Sequence, residues 1–576
     1  MVVCPPIYTK ETECQDCRKC IRECPVKAIK VQDGRASVMP DFCILCGHCV
    51  IACPHGAKQV RDDLQKARQL LSGSIKTIVS LDPSFVSEFP SVRTGQIIAG
   101  LKALGFSNVS ETALGAEMVS DQVVKLLKKS QGSIFISSAC PTVVQYLRKY
   151  KPHYAGYVTG LLSPLLAHAL MLRRHHNALN EQIGIVYIGP CISRKLEADT
   201  HPELVDVALT FDDLLMWLAE AGIDLTSLTE TADDIFVPRR SGDGALYPVV
   251  GGMIESILGH NNGNLPAQFI SFSGIRRLEN ALQGLEDLQP EDNLFLELSA
   301  CFGGCVNGPK SMTRAATVCK RYKVAHSAMP AKNDVAPDMD ISETYPSEPV
   351  PVPLYSDGQI RWALRQVGKD TEKDELNCGG CGYDSCKEFA RAFISSKAEK
   401  TMCVSYMRSL AQKKADILIR NMPSAVVIVD HQMKIVECNP NFTRLFGTSD
   451  QNGDEAYTLE GEQLEKVVPF SRLFENVLRS GEDVIEKDLR LRGRIFHGMI
   501  FNIERHSLVG ALFEDITTPA LHREEIIKRA RHVIQQNLMT VQKIAYLMGE
   551  NAAESEIMLN SIVESFSAQD TEDEDV

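Results

Sequence analysis

From Ile75 onward the chain reads as short β-rich runs alternating with helical segments, the pattern of an α/β domain. Four of these apolar runs stop abruptly at a loop and predict strands: Ile75 to Leu81 before Asp82-Pro83, Ser133 to Ser137 before Cys140-Pro141, Ile183 to Ile188 before Pro190-Cys191, and Leu294 to Leu298 before Cys301. The proline-rich stretch Tyr345 to Leu354 can carry neither a helix nor a central strand and predicts a stiff linker. A polar helical connector is predicted from Cys403 to about Arg420, followed by an α+β segment from Asn421 to about Thr518. Beyond it, Ile527, Ala530, Ile534, Asn537, Val541, Ile544 and Met548 are spaced alternately three and four apart. That spacing predicts a coiled-coil seam with one register-setting asparagine, or else a helix packed on its own domain. A second helix, Ala552 to Phe566, is predicted before an acidic tail.

The chain has 576 residues, more than one hydrophobic core of about 300 residues supports, so several domains are expected. Apolar residues make up 44% of it, and no run reaches the roughly 18 residues of a membrane helix, so no membrane partner is expected. A formal charge of -13 argues against nucleic acid as a partner. The opening Met-Val-Val-Cys-Pro-Pro has no basic stretch followed by an apolar run, which predicts a cytoplasmic location. The 19 cysteines change the picture, because in the cytosol clustered cysteines hold metal or do chemistry rather than form disulfides.

Cys14, Cys17, Cys20 and Cys24-Pro25 form C-x2-C-x2-C-x3-C-P, and Cys43, Cys46, Cys49 and Cys53-Pro54 repeat it. The repeat resembles the bacterial two-cluster ferredoxin, in which three close thiolates hold one 4Fe-4S cube and the fourth cysteine crosses to the other. The resemblance implies one cluster on Cys14, Cys17, Cys20 and Cys53, and a second on Cys43, Cys46, Cys49 and Cys24. Zinc is the alternative, but zinc sites pair C-x2-C knuckles rather than tripling them before a proline. His48 and His55 are expected at the surface.

Cys140, Cys191, Cys301 and Cys305 follow three of the predicted strands. In open α/β sheets ligands bind beyond the carboxyl ends of the strands, so these four thiols are expected to converge, in number enough for a cubane. Inert buried thiols are the alternative. Around them stand Ser137-Ser138-Ala139-Cys140-Pro141, Pro190-Cys191-Ile192-Ser193-Arg194-Lys195-Leu196-Glu197 and Ala300-Cys301-Phe302-Gly303-Gly304-Cys305-Val306-Asn307-Gly308. These resemble the three signatures of the FeFe hydrogenases, over residues 1 to about 325. The resemblance implies an H-cluster: a cubane on the four cysteines and, bridged through Cys305, a two-iron subsite carrying carbon monoxide, cyanide and an azadithiolate.

The departures from that family carry as much information. Where catalytic members place a proton-passing cysteine, this chain has Ala139, and the acidic residues that continue the path are replaced by Val123, Val124 and Leu126. A general acid or base is worth about 10²- to 10⁴-fold, so low turnover is expected. Family methionines beside the subsite are replaced by Gly189 and Ser299, and the cyanide-contacting lysine aligns with Arg194, next to Lys195. Arg194, Ser299 and Gly189 are therefore expected at the subsite, with Arg194, Lys195 and Glu197 as titratable or charged groups nearby. Glu117, Glu197 and Lys195 are the groups that a different proton path could use.

Cys378, Cys381, Cys386 and Cys403 give C-x2-C-x4-C-x16-C, with Lys387 to Met402 predicted as the helix that returns the last ligand. The module resembles a four-cysteine 4Fe-4S unit of redox and corrinoid proteins, with zinc the alternative. Cys4, Cys319 and Cys438 are left as free thiols. Met422 to Asp430, Lys434 to Asn441 and Phe442 to Phe446 resemble the opening of a PAS domain, closed by Ile500 to Ile503 and Ser507 to Glu514. A cofactor-free, dimerising relay is expected there, with His431, His497 and His506 at the surface or in packing. His532 lacks a phosphoacceptor context, and no nucleotide-binding glycine boxes follow it.

The fold expected is therefore multidomain α/β and α+β. Its parts are a two-cluster ferredoxin domain (1–62), a hydrogenase-like H-cluster domain of two α/β lobes (63–345), a linker (346–355) and a four-cysteine 4Fe-4S module (356–412). A PAS domain (413–518) and a helical signalling or dimerisation segment (519–576) complete it. The function expected is a sensory FeFe hydrogenase of low activity that exchanges dihydrogen with protons and electrons. Its status would pass through the clusters and the PAS domain to a separate kinase or phosphatase, with a homodimer as the working state and a ferredoxin-type electron partner. An ordinary ferredoxin-linked hydrogenase and an iron–sulfur scaffold lacking the two-iron subsite are the alternatives.

Overall fold

The computed structural model describes residues 4–260, 265–329, 339–447, 459–481 and 483–548. The chain divides into two compact units, Met1–Tyr406 and Met407–Val576.

In the first unit the cysteine repeat folds as two matching halves. Each three-cysteine loop leads into a short helix, Lys19–Glu23 or His48–Ala52, entered through a left-handed residue, Arg18 at φ 59° or Gly47 at φ 75°. Gly47 is required twice over, since a Cβ there would fall 2.3 Å from Cβ of Pro309 in the next domain. An antiparallel hairpin, Ile29–Gln32 with Arg35–Val38, turns on Asp33 and Gly34, both at positive φ (51° and 69°), as two-residue hairpin loops require.

Two parallel sheets follow. The larger runs in the order Asn108–Glu111, Lys76–Leu81, Ile183–Gly189, Val207–Thr210. The smaller runs Ala267–Ser273, Asn293–Ser299, Ile134–Ile136. The four strands predicted from apolar runs are present, three of them central and Ile134–Ile136 at the edge of the smaller sheet. Helices cover both faces, so Ile183–Gly189 is buried at every residue and reads as a continuous apolar run rather than an alternating one. Between the sheets lies one core that joins Ile78, Ile185 and Tyr187 to Phe295 across helices Ala113–Lys129 and Pro164–Ala178. Val123 and Val124 are part of this core and Leu126 is half-buried, so the expected apolar replacement of an acidic path is a packed wall. Within it His168 is fully buried, its two ring nitrogens each 2.8 Å from a strand hydroxyl, Ser80 Oγ and Ser110 Oγ.

Residues 346–355 form neither helix nor strand. The four-cysteine module then folds back on the cysteine repeat: Ile21, Tyr383, Phe389 and Met402 share a core, and Val31 N–H donates to Lys397 O at 2.9 Å. The helix predicted over Lys387 to Met402 is corrected to Cys386–Ile394, because Ser396 turns left-handed (φ 55°) and ends it. Cys403 is brought back by the short turn Lys400–Met402 instead.

The second unit holds a five-stranded antiparallel sheet in the order Ile435–Cys438, Ala425–Asp430, Leu508–Asp515, Arg494–Glu504, Val484–Leu491. Asn439 organises its opening: Oδ1 accepts from Val426 N and Phe442 N, both at 2.9 Å, and Nδ2 donates to Ser424 O at 2.8 Å. The strand Val484–Leu491 and helix Ser471–Ser480 were not foreseen from sequence. Helix Thr517–Met548 carries the predicted seam, on which Ile527 and Ile534 are half-buried and Ala530 is exposed. The side chains of Asn537, Val541, Ile544 and Met548, and the predicted helix Ala552 to Phe566, lie outside the described residues. Among the described residues no helix is long and apolar enough to cross a membrane.

Candidate metal centre and its cavity

The cysteines gather into four groups. Burial pushes the Cys20 thiol up to about 11, Lys58 pulls against it, and Cys17, Cys53 and Cys14 stand close enough to add to it. Cys43 is likewise pushed up to about 11, by burial first and by Cys24 among its neighbours. Cys46 and Cys49 are raised by burial and again feel Cys24. Cys53 thus stands with the first triplet and Cys24 with the second, the crossed arrangement that the resemblance implies.

The third group comes from three strand ends. Cys140 caps the helix Pro141–Tyr150, Cys191 follows strand Ile183–Gly189, and Cys301 and Cys305 follow strand Asn293–Ser299. Burial raises Cys305, with Asp82, Cys301, Cys140 and Cys191 adding to it. Cys191 is pushed up to about 12 by burial, against the pull of Arg194. Gly304 (φ 98°) lets this loop pass Pro248, whose carbonyl oxygen would lie 2.3 Å from any Cβ. The fourth group, Cys378, Cys381, Cys386 and Cys403, lines one small cavity. The groups also follow one another through the unit: Cys301 feels Cys46, Cys49 feels Cys20, and Tyr383 feels both Cys381 and Cys24.

Four thiols gathered in each group, with burial and neighbouring thiols raising Cys20, Cys49, Cys191, Cys305 and Cys381, fit a group whose positive irons neutralise them. An all-sulfur donor set is also the soft one that iron–sulfur clusters take. Among the described residues no three His, Cys, Asp or Glu side chains close to the spacing of a single ion.

Beside Cys140 and Cys305 lies a cavity of about 60 Å³ whose wall includes Ala139, Arg194, Met253, Glu297 and Ser299. Arg194 is fixed by Ser163 Oγ (2.8 Å), Ala139 O (3.3 Å) and an ion pair with Glu197. Glu197 itself faces a separate cavity of about 130 Å³ with Ser138, His201 and Glu343.

Other expected site residues also stand elsewhere. Lys195 is not at this cavity: its fully buried ammonium donates to Asp63 Oδ2 (3.0 Å), Ala208 O (3.0 Å) and Asp213 Oδ2 (3.3 Å). The helix turn that aims Arg194 at the cavity points the next residue the other way. Gly189 does not line the cavity either. A Cβ there would fall 2.2 Å from Tyr187 Oη, which donates to Asp82 Oδ2 at 2.8 Å, so the glycine makes room for that pair. Glu117 is held by Arg239 at 2.6 Å and by Gly242 N–H, away from the cavity. His48 is half-buried with Nδ1 unpartnered, not at the surface, whereas His55 is exposed. Cys4 and Cys319 are exposed and Cys438 half-buried. Sequence reasoning missed Asp82, Tyr247 and Glu297 as cavity residues. Asp82 and Glu297 were signalled by their positions at strand ends.

Comparison with known proteins defines the class. Residues 75–309 match the family described as iron only hydrogenase large subunit, C-terminal domain, and residues 6–54 a 4Fe-4S dicluster domain. Residues 374–405 match an Fe-S cluster family and residues 414–484 a PAS domain. The central region is thus similar to the iron-only hydrogenase family, and it is joined here to two stretches that match iron–sulfur families and one that matches a PAS domain. Among particular relatives, the periplasmic (Fe) hydrogenase large subunit of Nitratidesulfovibrio vulgaris is 26% identical over 362 residues, 52% of this chain and 85% of that protein. Matches to two further hydrogenases cover about half of their lengths (53% and 49%). The cytosolic Fe-S cluster assembly factor NAR1 of Yarrowia lipolytica is 21% identical over 46% of this chain and 72% of its own. An FeFe-hydrogenase structure from Chlamydomonas reinhardtii, 18% identical, covers 46% of this chain and 88% of its own with a TM-score of 0.36.

Proposed function

We propose that this chain is a sensory hydrogenase that reacts with dihydrogen at low turnover and passes hydrogen or redox status to its PAS domain. The observation that carries the reading is the convergence of Cys140, Cys191, Cys301 and Cys305 beside a cavity walled by Ala139. Those four cysteines would hold the cubane of an H-cluster, with Cys305 next to the two-iron subsite. Bound there, the cluster would supply reversible exchange of dihydrogen with two protons and two electrons. Cys14, Cys17, Cys20 and Cys53 would hold one further 4Fe-4S cluster, Cys43, Cys46, Cys49 and Cys24 a second, and Cys378, Cys381, Cys386 and Cys403 a third. The protein's own residues do the rest. Arg194 presents donors to the cavity and is kept charged by Glu197. Ser299 and Met253 set its polarity, and packed Val123 and Val124 close the direction a proton path would otherwise take. The succession of thiol groups from Cys301 to Cys381 gives electrons a way to the four-cysteine module. From there the helix Val404–Asn421 leads along the chain toward the PAS sheet. A cytoplasmic homodimer signalling to a separate kinase or phosphatase is part of this reading.

The test is to load the anaerobic protein with a synthetic two-iron subsite and record its carbonyl and cyanide infrared bands under argon, then under hydrogen. Bands that shift reversibly under hydrogen are the expected result. The assembly-factor relatives favour a second reading, an iron–sulfur scaffold without the two-iron subsite. Intact cubanes with no such bands would establish that reading and remove the first.

A further inference from the structure

Besides its hydroxyls and cysteines, the cavity beside Cys305 is reached by the side chains of Asp82, Arg194, Tyr247 and Glu297. Three are already committed. Asp82 accepts from Ser84 N–H (3.0 Å), Ser84 Oγ (2.5 Å) and Tyr187 Oη (2.8 Å). Arg194 is paired with Glu197 and anchored to Ser163 and Ala139. Tyr247 Oη meets Ser120 Oγ at 2.9 Å, and burial lifts its phenol further out of reach of neutral pH. Glu297 differs from all three. It is 5% exposed and is held by backbone groups, among them Gly251 N–H at 2.9 Å and Ile254 N–H at 3.2 Å. It stands near the carboxyl end of strand Asn293–Ser299, four residues before Cys301, and the backbone groups that hold it begin helix Gly252–Gly259. On the outer side of that helix start Glu255 is exposed to solvent, near enough for its charge to act on Glu297.

We infer that Glu297 is the proton carrier of this cavity, exchanging with solvent by way of Glu255 and so replacing the side chain missing at Ala139. The inference rests on reading the cavity as the subsite of the proposed hydrogenase. The charges and titratable groups that face Glu297 are Glu255 across the helix start, Tyr247 on the same wall, and Asp82 and Arg194 elsewhere around the cavity. Burial pushes the Glu297 carboxyl up to about 7, the backbone donors of Gly251, Ile254 and Met253 pull it back, and Glu255 adds to the rise. Near neutral pH both forms are populated, as a group that must give and take a proton requires. In the direction of proton reduction the carboxylic acid gives its proton to the cavity and the carboxylate regains one from the Glu255 side. In the direction of oxidation the same O–H bond forms and breaks in reverse. Electrons travel separately, along the thiol-bound clusters, and Glu297 is unchanged over a cycle.

Glu297 also fastens the start of a helix, so the test must separate the two roles. Glu297→Gln keeps an oxygen acceptor for the backbone donors and removes the proton, while Glu297→Asp keeps the proton on a shorter arm. The first measurement uses protein carrying its cubanes but no two-iron subsite. Its carboxyl C=O infrared band should titrate near pH 7, vanish in Glu297→Gln and persist, displaced, in Glu297→Asp. The second uses the loaded proteins. Carbonyl and cyanide bands should be present in wild type and Glu297→Gln alike. Their dependence on pH should be seen in wild type and lost in Glu297→Gln, with turnover about 10²-fold lower in Glu297→Gln and partly restored in Glu297→Asp. A missing titrating band, or a Glu297→Gln protein that keeps its pH dependence and rate, overturns this proposal alone. Absence of carbonyl and cyanide bands from the loaded wild type overturns the hydrogenase reading, and this proposal with it.

Discussion

Lys195→Met tests whether the residue beside Arg194 is structural. The substitution keeps an unbranched stem of similar length and deletes a fully buried charge that lies 3.0 Å from Asp63 and 3.3 Å from Asp213. Burial alone would push the Asp63 carboxyl up, but Lys195 and Arg61 more than offset it and hold it below its usual range. Removing one partner of a buried ion pair costs about 3–5 kcal/mol, since the other charge stays behind without compensation. Asp63 retains Arg61 at 3.0 Å and Lys66 at 3.3 Å, whereas Asp213 retains the Thr210 N–H at 2.7 Å. The cost therefore falls near the lower limit, about 3 kcal/mol, or roughly a 10 °C fall in the midpoint for a domain of this size. The assay is thermal unfolding followed by circular dichroism at fixed salt, with the iron–sulfur visible spectrum recorded beforehand to show intact clusters. Asp213→Asn added to Lys195→Met should recover part of the loss, because the charge left unpaired is then gone. The pH dependence has a definite sign. A carboxylate with a lowered folded pKa contributes stability that is present above its ordinary value of 3.8 and lost as pH falls through the folded value. The gap between wild type and Lys195→Met should hold through neutral pH and close only below that value. A midpoint within about 2 °C of wild type, with carbonyl and cyanide bands altered, would refute the structural assignment and return Lys195 to the cavity.

Ala139→Cys should raise hydrogen turnover by less than about tenfold in a viologen-linked assay, well short of the 10²- to 10⁴-fold of a working acid–base group, because Val123 and Val124 remain as a packed wall. Burial pushes His168 down to about 3, so the unfolded chain binds more protons between pH 6.5 and 3. Stability is then full above 6.5 and lost on acidification by as much as about 4–5 kcal/mol, and His168→Gln should flatten that part of a denaturant-midpoint profile against pH. Cys403→Ser should remove one cluster's iron from the chain by metal analysis and leave the iron of the other three groups in place.

What was legible in the sequence divides by the range of the cause. The four strand ends could be read because a buried parallel strand is mostly apolar along its length and must stop where a loop begins, and thiols stood at three of those stops. The crossed pairing of Cys24 and Cys53 came from a resemblance, since spacing alone assigns each fourth cysteine to neither cluster. Lys195 could not be placed: adjacent to Arg194, it differs only in the direction its helix turn gives it, and its partner Asp63 lies 132 residues earlier. Glu297 was hidden for a related reason. Its strand reads as apolar with one acidic interruption, and only the approach of Gly251 and Ile254 from a distant helix distinguishes a buried carboxyl from an exposed one. The helix expected to run to Met402 failed on a local cause, the left-handed Ser396, which nothing in a Ser-Ser pair announces. Strand Val484–Leu491 alternates exposed and half-buried positions with charges throughout, so no apolar run marked it.

The crossed thiols also impose an order in time. Cys53 stands with Cys14, Cys17 and Cys20, and Cys24 with the second triplet, so the second four-thiol group is complete once the ribosome has passed residue 49 and the first only once it has passed residue 53. From that moment both can close together, while Cys305 is still some 250 codons from being translated. The two ferredoxin-type sites are thus complete early in synthesis, and the central site is among the later ones to gain its last thiol. A nascent chain stalled after residue 62 should already take up iron, and one stalled between Cys191 and Cys301 should take up no more than that.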